Sequence, residues 1–254
     1  MTLTRKEHTQ KSPSETIENA ETMNVVTLEN TPIIEQLRLE EALLRVGKGT
    51  WCIVNKGTTP AMVMGISGKA NKWFKTDDVK KLNIPIIKRF SGGGSVAVDE
   101  DTFFVTFIAD THLLGVEHPI PENIMSWSKN LYGDVFDNKD VTERGGDYVF
   151  GDKKFAGNAH YIRRGRWLHH TSFLWSYNPT LMNLLRDPPR SPEYRAGRNH
   201  EDFLCTMSEF LPNKNAFFTS LLSTLNKRYT LHNISWDDAS TIISIPHRKS
   251  VTSG

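Results

Sequence analysis

KRFSGGGSVAVDED, Lys88 to Asp101, sets two short β-type runs on either side of a triple glycine. Ile84 to Lys88 leads in, and Ser95 to Val98 leads out with an apolar alternation. Without Cβ atoms, Gly92, Gly93 and Gly94 can bring backbone N–H groups close to the oxygens of a ligand. Lys88 and Arg89 place positive charge just before them. No Gly-Lys-Ser/Thr follows, so this is not the loop of P-loop nucleotide binders. On the loop alone, a glycine bulge or tight turn between two strands is the simpler reading.

Working outward, further β-type runs cover Trp51 to Val54, Ala61 to Ile66 and Phe103 to Ile108, with Tyr148 to Phe150 beyond them. A hairpin is expected with arms near Lys154 to Ile162 and Trp167 to Trp175. Ile33, Leu37 and Leu44, with Ile34 and Leu43, recur at helical spacing behind Thr31-Pro32, which predicts an N-cap at Thr31. A second helix is expected over Glu122 to Phe136, and the last third reads as mostly helical, with Phe217, Leu221 and Leu225 on one face. These elements imply the α+β class, a central mixed β-sheet flanked by helices.

The 254 residues, with a net charge of +2, suit one large domain and give no basis for nucleic-acid binding. Cys52 and Cys205 lie too far apart for a metal-site spacing or a disulfide framework. No apolar run approaches the roughly 20 residues of a membrane helix. Residues 1–24 are polar, without the apolar core of a secretory signal or the Arg-rich, acid-poor composition of a transit peptide. They are expected to form a disordered tail before a single domain over 25–254, in a cytoplasmic protein, with a mitochondrial location as the alternative.

Two more segments carry candidate chemistry. In GDKKFAGNAH, Gly151 to His160, strand alternation lets only one of Lys153 and Lys154 face a pocket, and Gly157 permits close approach of a substrate. In RWLHHTSFL, Arg166 to Leu174, His169 and His170 point to opposite faces. They are therefore not expected to bind one metal, and packing with hydrogen bonds is the expected state of one of them. Arg163, Arg164 and Arg166 cluster at the hairpin tip, as a solvated turn or a surface for an acidic partner.

Taken in order, these segments resemble the lipoate–protein ligase and octanoyltransferase family, over about residues 25 to 185. Lys88 to Val96 is similar to that family's basic pair and Ser-Gly-Gly-Gly loop. Lys154-Phe155-Ala156-Gly157-Asn158-Ala159 is similar to the block holding its essential lysine. The resemblance implies a biotin/lipoate ligase-like catalytic domain that joins lipoate and ATP into lipoyl-adenylate. The acyl group would then pass to a lysine of a lipoyl carrier domain. It implies Arg89, Gly94, Ser95, Val96, Ala97 and Lys154 at the nucleotide, with Lys154 catalytic. It further implies Ser91, Gly92, Gly93, Val98, Gly157 and Lys154 at the lipoate, an apolar slot between Val96 and Val98, and Asp147 at Mg²⁺.

The chain departs from that pattern in four places. Val98 replaces a histidine, Asp101-Thr102 replaces Gly-Asn, Thr171-Ser172 replaces Gly-Thr, and Gly146 replaces an asparagine. Two alternatives follow. One is an ATP-independent octanoyl or lipoyl transferase, a type that in this family uses a cysteine nucleophile. Cys205, in a helix expected over HEDFLCTMSEF, and Cys52 are the candidates, although buried structural thiols are the ordinary reading of both. The other is a non-catalytic relative that binds lipoate or a carrier domain.

Overall fold

The computed structural model describes residues 21–137, 140–188 and 191–254. Two sheets carry the fold. The larger joins β1 (Thr22–Glu29), β2 (Thr50–Lys56), β6 (Thr102–Asp110), β7 (Val141–Arg144), β8 (Asp147–Phe150), β9 (Lys153–Arg163), β10 (Arg166–Leu174) and β11 (Thr230–Asn233). Their spatial order is β11-β1-β2-β6-β10-β9-β8-β7. β1 runs parallel to both β2 and β11, and the remaining pairs are antiparallel, so the sheet is mixed. The smaller sheet joins β3 (Ala61–Met64), β4 (Ile86–Lys88), β5 (Ser95–Val98) and β12 (Thr252–Ser253) in the order β12-β4-β3-β5. The long helices are α1 (Ile33–Val46), α4 (Pro121–Val135) and α7 (Lys214–Arg228). Short ones are α2 (Ala70–Trp73), α3 (Thr76–Lys81), α5 (Pro179–Met182), α6 (His200–Phe203) and α8 (Trp236–Ser240).

The α+β expectation holds, and α1, α4 and the β9–β10 hairpin lie within a residue or two of their predicted spans. Alternation along β6 sends Phe103, Val105 and Phe107 to a core under α4 and α7, and Phe104 and Ile108 to a core under α1 and the smaller sheet. Among the described residues no helix is long and apolar enough to cross a membrane.

Several expectations need correction. The tail boundary at residue 24 is too late: β1 starts at Thr22, and Glu21 accepts hydrogen bonds from Thr50 Oγ1 (2.8 Å) and Leu114 N (2.9 Å). Residues 1–20 of that expected tail lie outside the described residues. The expected central mixed sheet is present, and beside it β3, β4, β5 and β12 pair among themselves in a second, smaller sheet. Cys205 lies in no helix: its N–H donates to Lys154 O (2.9 Å), between α6 and a short 3₁₀ turn at Met207–Glu209.

The hairpin tip is also less free than its charge suggested. Arg163 Nη1 donates to Arg45 O (2.9 Å) at the end of α1, and Arg166 is buried between Asp110 and Gly49 O. Both guanidiniums therefore contact the fold, although Arg163 is exposed like Arg164 and only Arg166 is buried.

Helix α1 begins differently from its predicted cap. Pro32 is the N-cap, and the N–H of Ile33 donates to Thr58 Oγ1 (2.8 Å), a buried hydroxyl two residues beyond the end of β2. A helix start leaves its first N–H groups without partners inside the helix, so a hydroxyl supplied from elsewhere stabilises it. Thr58→Val keeps the shape and removes that acceptor. The expected loss is ~1 kcal/mol, as for other cap deletions, read as a lower denaturation midpoint with an unchanged m-value.

Candidate functional site

Lys153 is exposed, and Lys154 turns inward on the next position of β9. A register shift sits beside it: Tyr148 pairs with Ala156 and Val149 with Lys154, leaving Phe155 as the extra residue on β9. Bulges of this kind re-aim a side chain. Lys154 Nζ lies 2.8 Å from Asp147 Oδ1, with the two side chains 24% and 14% exposed. The other carboxylate oxygen accepts from Tyr194 OH (2.8 Å). Burial, and then the charge of Asp147, push the Tyr194 hydroxyl well above its usual range. Gly157 makes room for this arrangement, because a Cβ there would stand 3.1 Å from Lys154 Nζ.

Lys154 and Asp147 border two adjoining cavities. The larger, about 360 Å³, is also lined by Trp73, Leu174, Met182, Arg195, His200 and Phe203. That is the lower end of the roughly 300–1,000 Å³ typical of small-molecule sites. The smaller, about 130 Å³, runs between Ile33, Leu37, Val63, Val98 and Phe104 on one side, with Arg89, Asn158 and His170 among its polar members. Gly94, Ser95, Val96, Gly157 and Ser172 line both. Both spaces mix apolar and polar walls, the wider one carrying the guanidiniums of Arg186 and Arg195, and a lysine stands where they meet.

The residues implied by resemblance divide as follows. Gly94, Ser95, Val96, Gly157 and Lys154 lie at the junction, Ala97 in the larger cavity and Val98 in the smaller. Arg89, expected at the nucleotide, lines the smaller cavity and is turned onto its own loop. Its Nη2 donates to Gly92 O (2.6 Å) and its Nε to Ser91 Oγ (3.1 Å). Burial pushes its pKa down to about 10, so it stays charged at neutral pH. Ser91, Gly92 and Gly93, expected at the lipoate, line neither cavity. Gly93 has φ +98°, and a Cβ there would meet Arg89 Nη2 at 2.7 Å, so the triple glycine first serves the packing of that arginine. Trp73, Ser172, Tyr194, Arg195 and His200 were not expected here. Four of them come from segments with no periodic signal, and Ser172 was noted only as a departure from a motif.

Asp147 is a single carboxylate held by Lys154 and Tyr194. Among the described residues no group of three or more His, Cys, Asp or Glu could hold a metal by itself. A Mg²⁺ carried by phosphates needs only one or two protein carboxylates, so Asp147 fits that limited part once Lys154 moves aside.

A family model described as the lipoyl protein ligase A/B catalytic domain matches residues 32–225. The chain belongs to this family. It is 27% identical over 231 residues to the Plasmodium falciparum (isolate 3D7) protein named inactive lipoate–protein ligase 2, covering 68% of this chain and 60% of the relative's length. Among solved structures, lipoate-protein ligase A bound with ATP aligns with a TM-score of 0.69 at 16% identity, over 87% of this chain and 92% of that one. The bi-partite lipoate protein ligase of Thermoplasma acidophilum, described with its E2 lipoyl domain, aligns with a TM-score of 0.68 at 17% identity, over 88% and 91%. At such identities the structural likeness establishes the fold.

His169 and His170 face opposite ways on β10, and both are packed. His170 Nδ1 lies 2.9 Å from Glu40 Oε1 and 3.0 Å from Thr106 Oγ1, on the cavity side. His169 lies on the other face, its Nδ1 2.9 Å from His160 Nε2 and its Nε2 3.2 Å from Thr171 Oγ1. Thr171 is fully buried on that far face and donates to Asn158 Oδ1 (2.7 Å). Its bulk in place of glycine therefore stays away from the cavities, and Ser172 is the residue that lines them.

Burial holds the His160 imidazole down to about 4, against the opposing charge of Glu122, and holds His169 well below its usual range. Two outcomes follow from this geometry. The first concerns pH: the unfolded chain takes up protons near pH 6.5, whereas folded His160 stays neutral until about 4 and His169 is held down as well. Stability should therefore fall as pH drops below about 6.5. Denaturant melts from about pH 7 to about pH 5 should show that loss, and His160→Gln should flatten it. The second concerns Gly157→Ala, whose Cβ displaces Lys154 Nζ from its place between the cavities. Ligand affinity should drop several-fold while the melting temperature moves by no more than about 2 °C, since only the end of a flexible side chain must yield.

Proposed function

We propose that this chain is a lipoate–protein ligase-like enzyme, activating lipoate with ATP and transferring the lipoyl group to a lysine of a lipoyl carrier domain. The observation that carries this reading is Lys154 at the shared wall of two cavities, a wide one that also holds Arg186 and Arg195 and a narrow one with an apolar side formed by Ile33, Leu37, Val63, Val98 and Phe104. In the first step a carboxylate oxygen of lipoate bonds to the α-phosphorus of ATP, and the bond to pyrophosphate breaks. Both reactants are anionic, so a cation between them offsets their repulsion and strengthens its hold as charge redistributes. In this reading Lys154 takes that duty, with the nucleotide toward Gly94 to Ala97 and the acyl tail toward Val98 and Phe104, residues that line the two cavities. In the second step the carrier lysine nitrogen attacks the acyl carbon, AMP leaves with the bonding pair, and the amine sheds a proton. Asp147, released when Lys154 turns to its substrates, would be a Mg²⁺ ligand, and that ion would neutralise phosphate charge. A cytoplasmic location remains part of the proposal.

A non-catalytic binding role is the second reading. It is favoured by the Lys154–Asp147 ion pair, by Arg89 turned onto Gly92 O, and by the inactive designation of the Plasmodium relative. A cysteine-dependent transferase is disfavoured, because both thiols are buried and burial raises their pKa, that of Cys205 to about 11. Thiolate is therefore scarce at neutral pH.

Lipoate-dependent exchange of labelled pyrophosphate into ATP separates these readings. The expected result is exchange by the wild-type chain and a loss on the order of a hundred-fold or more in Lys154→Ala, given the strength of charged hydrogen bonds made in a transition state. Lipoate binding without exchange would favour the non-catalytic role. Normal exchange by a folded Lys154→Ala protein would remove Lys154 from the chemistry.

A further inference from the structure

Arg195 presents a guanidinium to the larger cavity in an unusual electrostatic setting. Its side chain is 5% exposed, yet the carboxylate that pairs with it among the described residues, Asp187, is 89% exposed and 3.5 Å away. Nε donates to Arg198 O (2.8 Å), and the guanidinium lies over the Phe203 ring at 5.2 Å. These contacts orient the group and leave its charge poorly matched. A buried cation with so loose a partner is costly unless an anion arrives.

The surrounding chain is anchored. Arg198 donates to Asp152 Oδ2 (2.9 Å), Asp152 O (3.0 Å) and Tyr194 O (2.8 Å), tying the segment to the turn between β8 and β9. Tyr194 in turn binds Asp147, the partner of Lys154. Burial first, and then the positive field of Arg195 and, more weakly, of Lys154, hold the His200 imidazole below its ordinary range. Lys154, Arg186 and Arg195 thus border the cavity against the single carboxylate of Asp147, leaving a surplus of positive charge, with His200 as a neutral neighbour.

We propose that Arg195 grips the polyphosphate of the nucleotide in the larger cavity, beyond the α-phosphate that falls to Lys154. The planar fork of an arginine suits two phosphate oxygens at once, which a lysine does not offer. This inference rests on the nucleotide reading of that cavity.

Titration calorimetry with a non-hydrolysable ATP analogue and with AMP tests it on the full chain and on Arg195→Met and Arg195→Lys. The wild type should bind both. Arg195→Met should lose about ten-fold or more in affinity for the triphosphate, with AMP changed less than about two-fold, and Arg195→Lys should fall between. Equal losses for AMP and the analogue would make Arg195 a loop-shaping residue and overturn the proposal, as would unchanged binding of both. Should Arg195→Met fail to fold, Arg195→Lys decides: a selective triphosphate loss supports the proposal, and its absence overturns it. A wild-type chain that binds neither nucleotide would instead sink the nucleotide reading itself, a distinct outcome.

Discussion

Strands β6 and β10 are packed on both faces, and the placement of the site depends on that double burial. Phe103, Phe107, Trp167 and Phe173 go to the core under α4 and α7, while Phe104, Ile108 and Leu168 go to the core under α1 and the smaller sheet. A shift of one residue would exchange every side chain between the two cores, so the register is strongly specified. Within that register His170 and Ser172 face the cavities, and His169 and Thr171 face away. Ser172 pairs with Gly157 across β9, which brings the one residue without a Cβ beneath the Lys154 side chain.

The same constraint creates a buried polar network on the cavity side. Thr106 Oγ1 donates to Glu40 Oε1 (2.7 Å), Gln36 Nε2 donates to Glu40 Oε1 (2.8 Å), and Asn55 Nδ2 donates to Gln36 Oε1 (3.0 Å). His170 closes the set on Glu40. Glu40 belongs to α1, Asn55 to β2, Thr106 to β6 and His170 to β10, so the network ties a helix to three strands. A carboxylate this buried is tolerable because its oxygens are satisfied, and its charge also helps to keep Arg89 cationic. The narrow cavity beside it has an apolar side, from Ile33, Leu37, Val63, Val98 and Phe104, and a polar one where His170, Arg89 and Asn158 enter.

Lys154, Asp147 and Tyr194 act on a different scale. Their contacts are short, but they join β9, β8 and the segment after β10, the three walls of the larger cavity. A cation in a partly buried cavity needs a counter-charge, and Asp147 supplies it here. An anionic substrate would compete for the same ammonium, so the ion pair both holds the apo arrangement and marks where a ligand must act.

Local patterns made much of this legible. The spacing of Ile33, Leu37 and Leu44 identified α1, the alternation around Lys153 and Lys154 showed that one lysine must turn inward, and the ordered blocks around the triple glycine pointed to the family. Such features depend on how successive side chains project from one element, which the order of residues determines. Which face of β10 meets a cavity, that Thr58 rather than Thr31 receives the first helical N–H, and that Arg163 and Arg166 contact the fold were decided by tertiary structure. So were the second sheet and the arrival of Tyr194 and Arg195 beside Lys154. In each case the partner lies tens of residues away, and spacing along a chain says which side chains share a face without saying what stands across from it.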